Sequence, residues 1–482
     1  MAIDVTQLGS PGWWMLRLAR KLELRQPRLE RLDSYLRGDP PLPEGADAAR
    51  KAYIHIQKKA RLNLAELAVE AVLDRMVPTG FQTGVAQDKL GDAKARDIWV
   101  ANGLDVESTE VHRLMLGLGD SYVIVGGPDP ETGIPVITAE DARQVVTAHD
   151  PARQQNIRAG LKIFHDAELE QDFAYLYLPG KVYVAFRDAR RTVKNPIVRF
   201  SPSAWDWDES RGGEVGQSLP PGNETAMPVV RFRNKRGAGQ FETHIDLLDR
   251  VNHMILQRMV IATFQAFKQR GIKVDPSDMP EKDENGVKID YDEIFSADPG
   301  ALWQLPQSAD MWESGAVDLQ PILAATKEDK MDFAALTRTP LYWFIPDAAN
   351  GSASGADAQR EGAVNQAEDR IRRASAGWNR VMSTAFRFMG DTERAKLPSL
   401  RTLWQPANRY TLSERADAGN KASDVPWETR MTDIWQFPPE KLEEMKAQRL
   451  QDAALATPAP APVPAPADPA PEPGPAPVLP AS

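Results

Sequence analysis

Cysteine is absent from the 482-residue chain. Disulfides, thiolate zinc sites, iron–sulfur clusters and cysteine nucleophiles are thereby excluded. Histidine is scarce: there are six, and they are scattered. His244 and His253 fall on one predicted helix, but not at the i, i+4 spacing that a metal pair needs. No run of apolar residues approaches the roughly 18 that a bilayer span requires. The apolar patch near the start, Gly12 to Leu18, is interrupted by Arg17 and lacks the core and cleavage site of a signal peptide. Neither a G-x-x-x-x-G-K-[ST] phosphate loop nor a G-x-G-x-x-G fingerprint occurs, so the chain is not a P-loop motor. These absences describe a protein made and used in a cytosol, or assembled there into something larger.

Positive charge is in deficit. Lysine and arginine number 58 against 68 acids, for a net charge of −10, and the pI is about 5.3. Tight nucleic-acid binding through bulk charge is therefore not expected, since phosphate binding needs clustered cations. An acidic chain can still pass DNA through a channel without holding it, although mild acidity is ordinary for a soluble protein. Hydrophobic residues make up 42%, enough for a real core. At about 100–200 residues per domain, the length allows roughly two to four domains. There is no internal repeat.

Residues 13–37 read as a locally basic helix with Leu18, Leu22, Leu29, Leu32 and Leu36 on a stripe, bent or split at Pro27. Gly38 to Gly45 is a loop, and residues 48–77 return to helix. Between 80 and 235 the pattern changes to short β-branched and aromatic runs: Tyr122–Val125, Pro135–Thr138, Val145–Thr147, Leu161–Phe164, Phe173–Leu178 and Lys181–Phe186. The last two flank Pro179-Gly180 as a hairpin. Residues 242–270 form a second long helix of roughly 40 Å. Its seam is Ile245, Leu248, Ile255 and Met259, with Asn252 at the position that the apolar spacing skips. Residues 271–320 are polar and turn-rich, with short strands at Ile272–Val274 and Leu302–Leu305. Helix resumes at Pro321, a favourable first-turn proline. A strand at Arg401–Trp404 and helices from Ser413 and Pro439 follow. From Pro458 to Ser482 there are 11 prolines in 25 residues, an extended segment with no packed core.

The most informative stretch runs from Thr339 to Phe388. It reads T-P-L-Y-W-F-I-P-D, then a small-residue loop, Ala348 to Gly355, then a long helix. In that helix Val364, Ala367, Ile371, Ala374, Trp378, Val381, Ala385 and Phe388 repeat in alternating steps of three and four, one stripe of an α-helix. The pattern describes a moving loop on a rigid post. Gly351-Ser352-Ala353-Ser354-Gly355 is not a nucleophile elbow, because its central residue is alanine. Arg372, Arg373 and Arg380 flank the stripe, where they can touch phosphates or pair with Glu368 and Asp369. Trp205-Asp206-Trp207-Asp208 sets aromatics beside carboxylates as a sugar site would, or is a surface loop with packed tryptophans.

In order and spacing, these pieces resemble the portal proteins of long-tailed, double-stranded DNA phages, over most of residues 13–450. The resemblance rests on the opening W-x-x-R-L…R-x-x-R-L-x-x-Y-L-R-G-D-P-P-L; on Gly117 to Gly126; on Met227 to Asn234 followed by Ile245 to Asn252, with the exit Phe267 to Gly271; on Thr339-Pro340 with Ser352, Ser354, Ala356, Ala358 and Glu361; and on Trp404 to Ala422. Where the family often has a Pro-Ser dipeptide in the loop, this chain has Asn350-Gly351-Ser352.

The resemblance implies an α+β subunit of portal architecture. Residues 1–240 would form a helical and α/β wing, 242–270 the first stem helix, 271–320 the clip and 321–339 the second stem helix. Residues 346–356 would form the tunnel loop, 357–390 the long channel and wing helix, 391–456 the crown, and 457–482 a disordered tail. It further implies a ring, usually of twelve copies, at one capsid vertex of a virion built in the host cytoplasm. Partners would be the terminase large subunit, capsid and scaffolding proteins, head–tail connectors, and duplex DNA that passes without sequence specificity. No membrane, cofactor, metal or catalytic residue is implied, because a separate ATPase pumps the DNA. The residues facing DNA would be Asn350, Gly351, Ser352, Ala353, Ser354 and Gly355, with Arg372, Arg373 and Arg380 as polar groups of the channel helix. Twelve copies at −10 total −120, which suits low adhesion to a sliding polyanion. The competing readings are a hydrolase acting on carbohydrate or ester, and a minor head protein lacking the stem–clip–stem order.

Overall fold

The computed structural model describes residues 3–43, 51–85, 91–189, 200–266, 270–275, 281–282, 285–290, 310–313, 315, 317–345, 353–408, 410, 412–437, 439–455 and 474. Helix α1 (Pro11–Leu36) is capped by Ser10, whose Oγ accepts from the Trp13 N–H at 3.2 Å, and it runs unbroken through Pro27. The helix is not split there. Buried Met15, Leu18 and Leu22 before the proline, and Leu29, Leu32 and Leu36 after it, hold both halves to the body. The single helix expected over 48–77 is two, α2 (Lys51–Lys59) and α3 (Leu64–Leu73). Asn63 ends the break by accepting the Glu66 N–H at 3.2 Å.

Strand β1 (Pro78–Gln82) is followed by two helices where the sequence pattern pointed only to strands: α4 (Ala93–Ala101) and α5 (Leu104–Leu118). All six strands expected between Tyr122 and Phe186 are present, extended at one end or both. They are β2 (Asp120–Pro128), β3 (Pro135–Glu140), β4 (Val145–His149), β5 (Ile157–Asp166), β6 (Gln171–Leu178) and β7 (Lys181–Asp188). Leu178 pairs with Lys181 across the Pro179-Gly180 turn. Gly180 has φ +76°, and a Cβ there would lie 2.2 Å from the Glu224 carbonyl oxygen, so only glycine fits. Short strands β8 (Asp206–Trp207) and β9 (Gln217–Ser218) both pair with β7 and complete a six-stranded antiparallel sheet. The first half of α1 covers this sheet, with Met15, Leu18 and Leu22 against Leu161, Leu176 and Trp205.

Strand β10 (Val229–Arg233) joins β2 and β3 in a second, three-stranded sheet. Helix α6 (Ile245–Ala266), strands β11 (Arg270–Lys273) and β12 (Asp310–Glu313), and helix α7 (Gln320–Thr337) come next. β11 and β12 pair antiparallel; β12 was not expected, and Leu302–Leu305 lies outside the described residues. Helix α8 (Ala353–Phe388), β13 (Arg401–Trp404) on β1, α9 (Leu412–Lys421) and α10 (Pro439–Leu455) close the order.

The larger core gathers α3, α5, β2, β10, α6 and α8. At its centre Gly377 lies against the Phe232 ring, 2.4 Å from where a Cβ would stand. Gly377→Ala must push that buried ring aside and should destabilise the fold by about 1–3 kcal/mol. Chemical unfolding of the variant checks this; an unchanged midpoint would mean that the helix and β10 are not in this register.

Candidate functional site

The whole expected stripe of α8 faces inward: Val364, Ala367, Ala374, Trp378, Val381, Ala385 and Phe388 are buried and Ile371 is partly so. Trp378 anchors it. Its indole N–H donates to His112 Nε2 at 2.8 Å, and its ring meets those of Trp99 at 4.9 Å and Phe232 at 5.0 Å edge-on. Because Nε2 accepts, the buried imidazole is neutral with its proton on Nδ1. Burial drives the pKa of His112 down to about 3, the Met76 backbone pulling the other way. Further along, the Trp404 indole donates to Ser375 Oγ at 2.7 Å and Thr402 donates to Asn379 Oδ1 at 2.8 Å, which ties β13 to the same helix.

The first turns of α8 are different. The helix starts at Ala353, four residues earlier than expected, so Ala353, Ser354 and Gly355 belong to its first turn and not to the preceding loop. Asn350, Gly351 and Ser352 lie outside the described residues. Of the three flanking arginines, Arg372 is exposed. Arg373 pairs with Asp369 at 3.0 Å, and Arg380 donates to Gln155 Oε1 at 3.0 Å. The sequence pattern passed over Arg370, which is only 7% exposed. It stands one helical step from both Ala367 and Ala374, so its place on the stripe was the signal. Arg370 pairs with Asp369 and donates to Gln240 Oε1 at 3.2 Å. Burial holds its pKa below the usual arginine range. Together with Asn234, Thr337, Arg338 and Gln366 it lines a cleft of about 440 Å³ where the approach to α6, the end of α7 and the start of α8 meet.

Helices α6 and α7 run antiparallel: Arg250 pairs with Asp329 at 2.6 Å, and further out Gln265 Nε2 donates to the Val317 carbonyl at 2.8 Å. The seam residues Ile245, Leu248, Asn252 and Ile255 are buried in the body and Met259 is partly buried. Asn252 Oδ1 accepts the Leu62 N–H at 2.9 Å, which explains a polar residue in the seam. Beyond Leu256 no described residue of α6 is buried, and in α7 burial begins only at Thr326. The outer halves of the pair therefore leave the body.

The tryptophan–aspartate cluster is a sheet corner. Trp205 and Trp207 are buried, with the Arg187 guanidinium 5.2 Å over the Trp205 ring. Asp208 accepts the Ser210 N–H at 3.0 Å as a cap. Trp205, Trp207 and Asp208 thus have structural roles at this corner.

Replacing Arg370 by leucine should cost about 1–3 kcal/mol, since Gln240 and Asp369 lose a charged partner, whereas Arg372→Ala should stay within about 0.5 kcal/mol; equilibrium unfolding of both variants separates the two. His112 gives a pH signature. Its pKa falls on folding, so between about 3 and its ordinary 6.5 the unfolded chain binds more protons. The stability it contributes is complete above the ordinary value and is lost as pH falls toward the folded one. His149, held at about 4 by burial and then by Arg231, acts in the same sense. His112→Gln, whose amide oxygen can still accept from Trp378, should reduce the acid slope of unfolding free energy by up to about 1.4 kcal/mol per pH unit between roughly pH 4 and 6. Parallel slopes for variant and wild type would refute a buried neutral histidine.

The phage portal protein family described as SPP1 Gp6-like matches residues 17–454. The chain is 24% identical over 422 residues to the portal protein of Mycobacterium phage D29, covering 82% of this chain and 80% of that one. It is 23% identical over 421 residues to the portal protein of Mycobacterium phage L5, covering 83% and 80%. Among solved structures, a chain from the virion of a native gene transfer agent particle aligns over 85% of this chain and 99% of that one, at 11% identity and a TM-score of 0.43. One from the neck of that particle, computed with C12 symmetry, aligns over 84% and 98% at 10% identity and a TM-score of 0.39. With a family match that spans all but the two ends of the sequence, this chain belongs to the phage portal proteins.

Proposed function

We propose that the chain is the subunit of a closed ring, of twelve copies, that serves as the DNA conduit at one capsid vertex. In this reading α6 and α7 form the stem, and the segment joined by β11 and β12 forms the clip that receives the terminase large subunit and later the head–tail connectors. The start of α8 and the segment before it face the channel. The six- and three-stranded sheets with the rest of α8 form the wing, and residues 391–456 form the crown. The subunit performs no chemistry: packaging work comes from a separate ATPase, and capsid and scaffolding proteins surround the ring, which is assembled in the host cytoplasm.

The observation that carries the ring is the apolar surface on the projecting pair. On α7, Leu323 is 37%, Met331 42% and Leu336 56% exposed, and on β12 Trp312 is 61% exposed. Of these, Leu323 lies on the outer half of α7 and Met331 and Leu336 on the half beside the body; all need cover, and neighbouring copies around a ring supply it on both flanks. The net charge of −10 per copy keeps passing DNA from adhering to the wall.

Negative-stain electron microscopy with light scattering tests the reading. Rings with a central hole and a mass near twelve chains of 53.4 kDa are expected. Leu323→Glu with Leu336→Glu should shift the mass toward the monomer while the melting transition of the body persists. Rings that survive both charges would place the subunit contact elsewhere, and a stable monomer that cleaves a glycan would end the conduit reading.

A further inference from the structure

Cations gather where Arg25 of α1 reaches the start of β2. Lys21 and Arg25 stand one turn apart on α1. Arg231 and Arg233 alternate along β10 and so share a face; in register on β2 they stand opposite Tyr122 and Asp120. Asp120 is the one carboxylate that acts on Lys21, Arg25 and Arg231 alike, and it is buried. Arg25 already engages it, donating to Asp120 Oδ2 at 2.9 Å and to the Tyr122 hydroxyl at 3.2 Å. Arg233 Nε stands 3.9 Å from Asp120 Oδ1, beyond hydrogen-bond reach. Lys21 Nζ has only the Thr147 carbonyl, at 2.9 Å. The Arg231 guanidinium, though partly buried, makes no hydrogen bond or ion pair among the described residues. Nearby Arg28 is spent on Glu242, with Nε at 2.6 Å from the carboxylate.

Four cations thus gather around Asp120 on a chain whose overall charge is −10. Their repulsion is visible. Burial, then Arg25 and Arg231, holds Lys21 below the usual lysine range. Burial, with Arg233 and Arg25, does the same to Arg231. His149, at the end of β4, feels the same field from Arg231 and Lys21. Its ring is neutral, with Nδ1 bonded to the Gln154 carbonyl at 2.7 Å and Nε2 to the Thr147 hydroxyl at 2.8 Å. Clustered like charges repel; partly buried Arg25 and Arg231 are the least screened by water, while Lys21 and Arg233 are exposed beside them.

We propose that Lys21, Arg231 and Arg233, backed by the Arg25–Asp120 pair, form an oxyanion site that takes a phosphate group, from a free phosphate ion or from a nucleic-acid backbone. Two guanidinium forks from β10 and an ammonium from α1 converge from separate elements, and guanidinium geometry matches phosphate oxygens. The site is built from α1, β2 and β10 and does not depend on the ring reading.

The full-length chain is titrated with inorganic phosphate against chloride at equal ionic strength, followed by heat and by the ring signals of His149. A labelled short DNA duplex is titrated separately by fluorescence anisotropy. Saturable binding is expected, weakened about ten-fold or more in Arg231→Gln with Arg233→Gln. The melting temperature of that variant in chloride should not fall, because its removed charges repelled one another. Lys21→Gln, altered on α1, is the second variant and should weaken binding as well. Phosphate binding without duplex binding assigns the free ion; duplex binding that phosphate competes away and the variants lose assigns the backbone. Binding of neither, or equal binding by wild type and both variants, overturns the site.

Discussion

The bond from the Trp378 indole to His112 is the constraint around which the body is arranged. A buried indole N–H must find an acceptor, and a buried imidazole can accept only when neutral. Meeting both demands fixes α8 against α5. The same indole ring then fixes α4 through Trp99 and β10 through Phe232, and His112 reaches β13 through Trp404, with ring centroids 5.4 Å apart. Gly377 allows the close approach, since any side chain there would occupy the Phe232 ring. Elements separated by more than 260 residues in sequence therefore share one rigid node, and the second half of α8 has little freedom to move relative to the sheets.

Charge follows a related division. Where α8 leaves this core, Arg370 is buried and tied to Asp369 and Gln240, so its charge holds the helix to the approach of α6. Arg373 is also committed to Asp369, and Arg380 to Gln155. Cations that are spent within the subunit add little attraction for a passing polyanion. In the proposed conduit this would matter: the helix would be firmly anchored by arginines without turning a channel wall into a nucleic-acid trap.

How much of this was legible in the sequence depends on the range of the interaction. The six strands between Tyr122 and Phe186 and the stripe from Val364 to Phe388 are set by alternation and by three–four spacing, which are local. Helices α4 and α5 were missed because the β-branched runs just after them dominated the segment, although Asp92 as a cap and the flanking Gly103 and Gly119 were there to be read. The break at Ala60–Asn63 depends on Asn252, which accepts from Leu62 across 190 residues. β12 exists because Arg270–Lys273 pairs with it from the far side of a polar insertion. Arg370 was overlooked because a charged residue on an apolar stripe is taken for an exception, when its partner Gln240 comes from a distant turn. The cationic cluster of α1 and β10 was equally invisible, because its members are joined only by the register of β10 on β2.

The α6–α7 pair, the stem of the proposed ring, shows what a single subunit cannot supply. Its inner half is held by buried Leu248, Val251 and Phe333, but outside Leu256 and before Thr326 no described residue of either helix is buried. A two-helix projection packed on one side buries too little apolar surface to be strongly held, and isolated helices of this length are marginal in water. In the proposed ring each pair would be flanked by two others, so that Leu323 of the outer half, like Met331 and Leu336 nearer the body, becomes interior. Stability of the outer stem would then be a property of the assembly and would rise with subunit concentration, while the Trp378 node keeps the body folded beforehand. That separation lets a subunit fold first and close into a ring afterwards, without passing through a state in which its core is exposed.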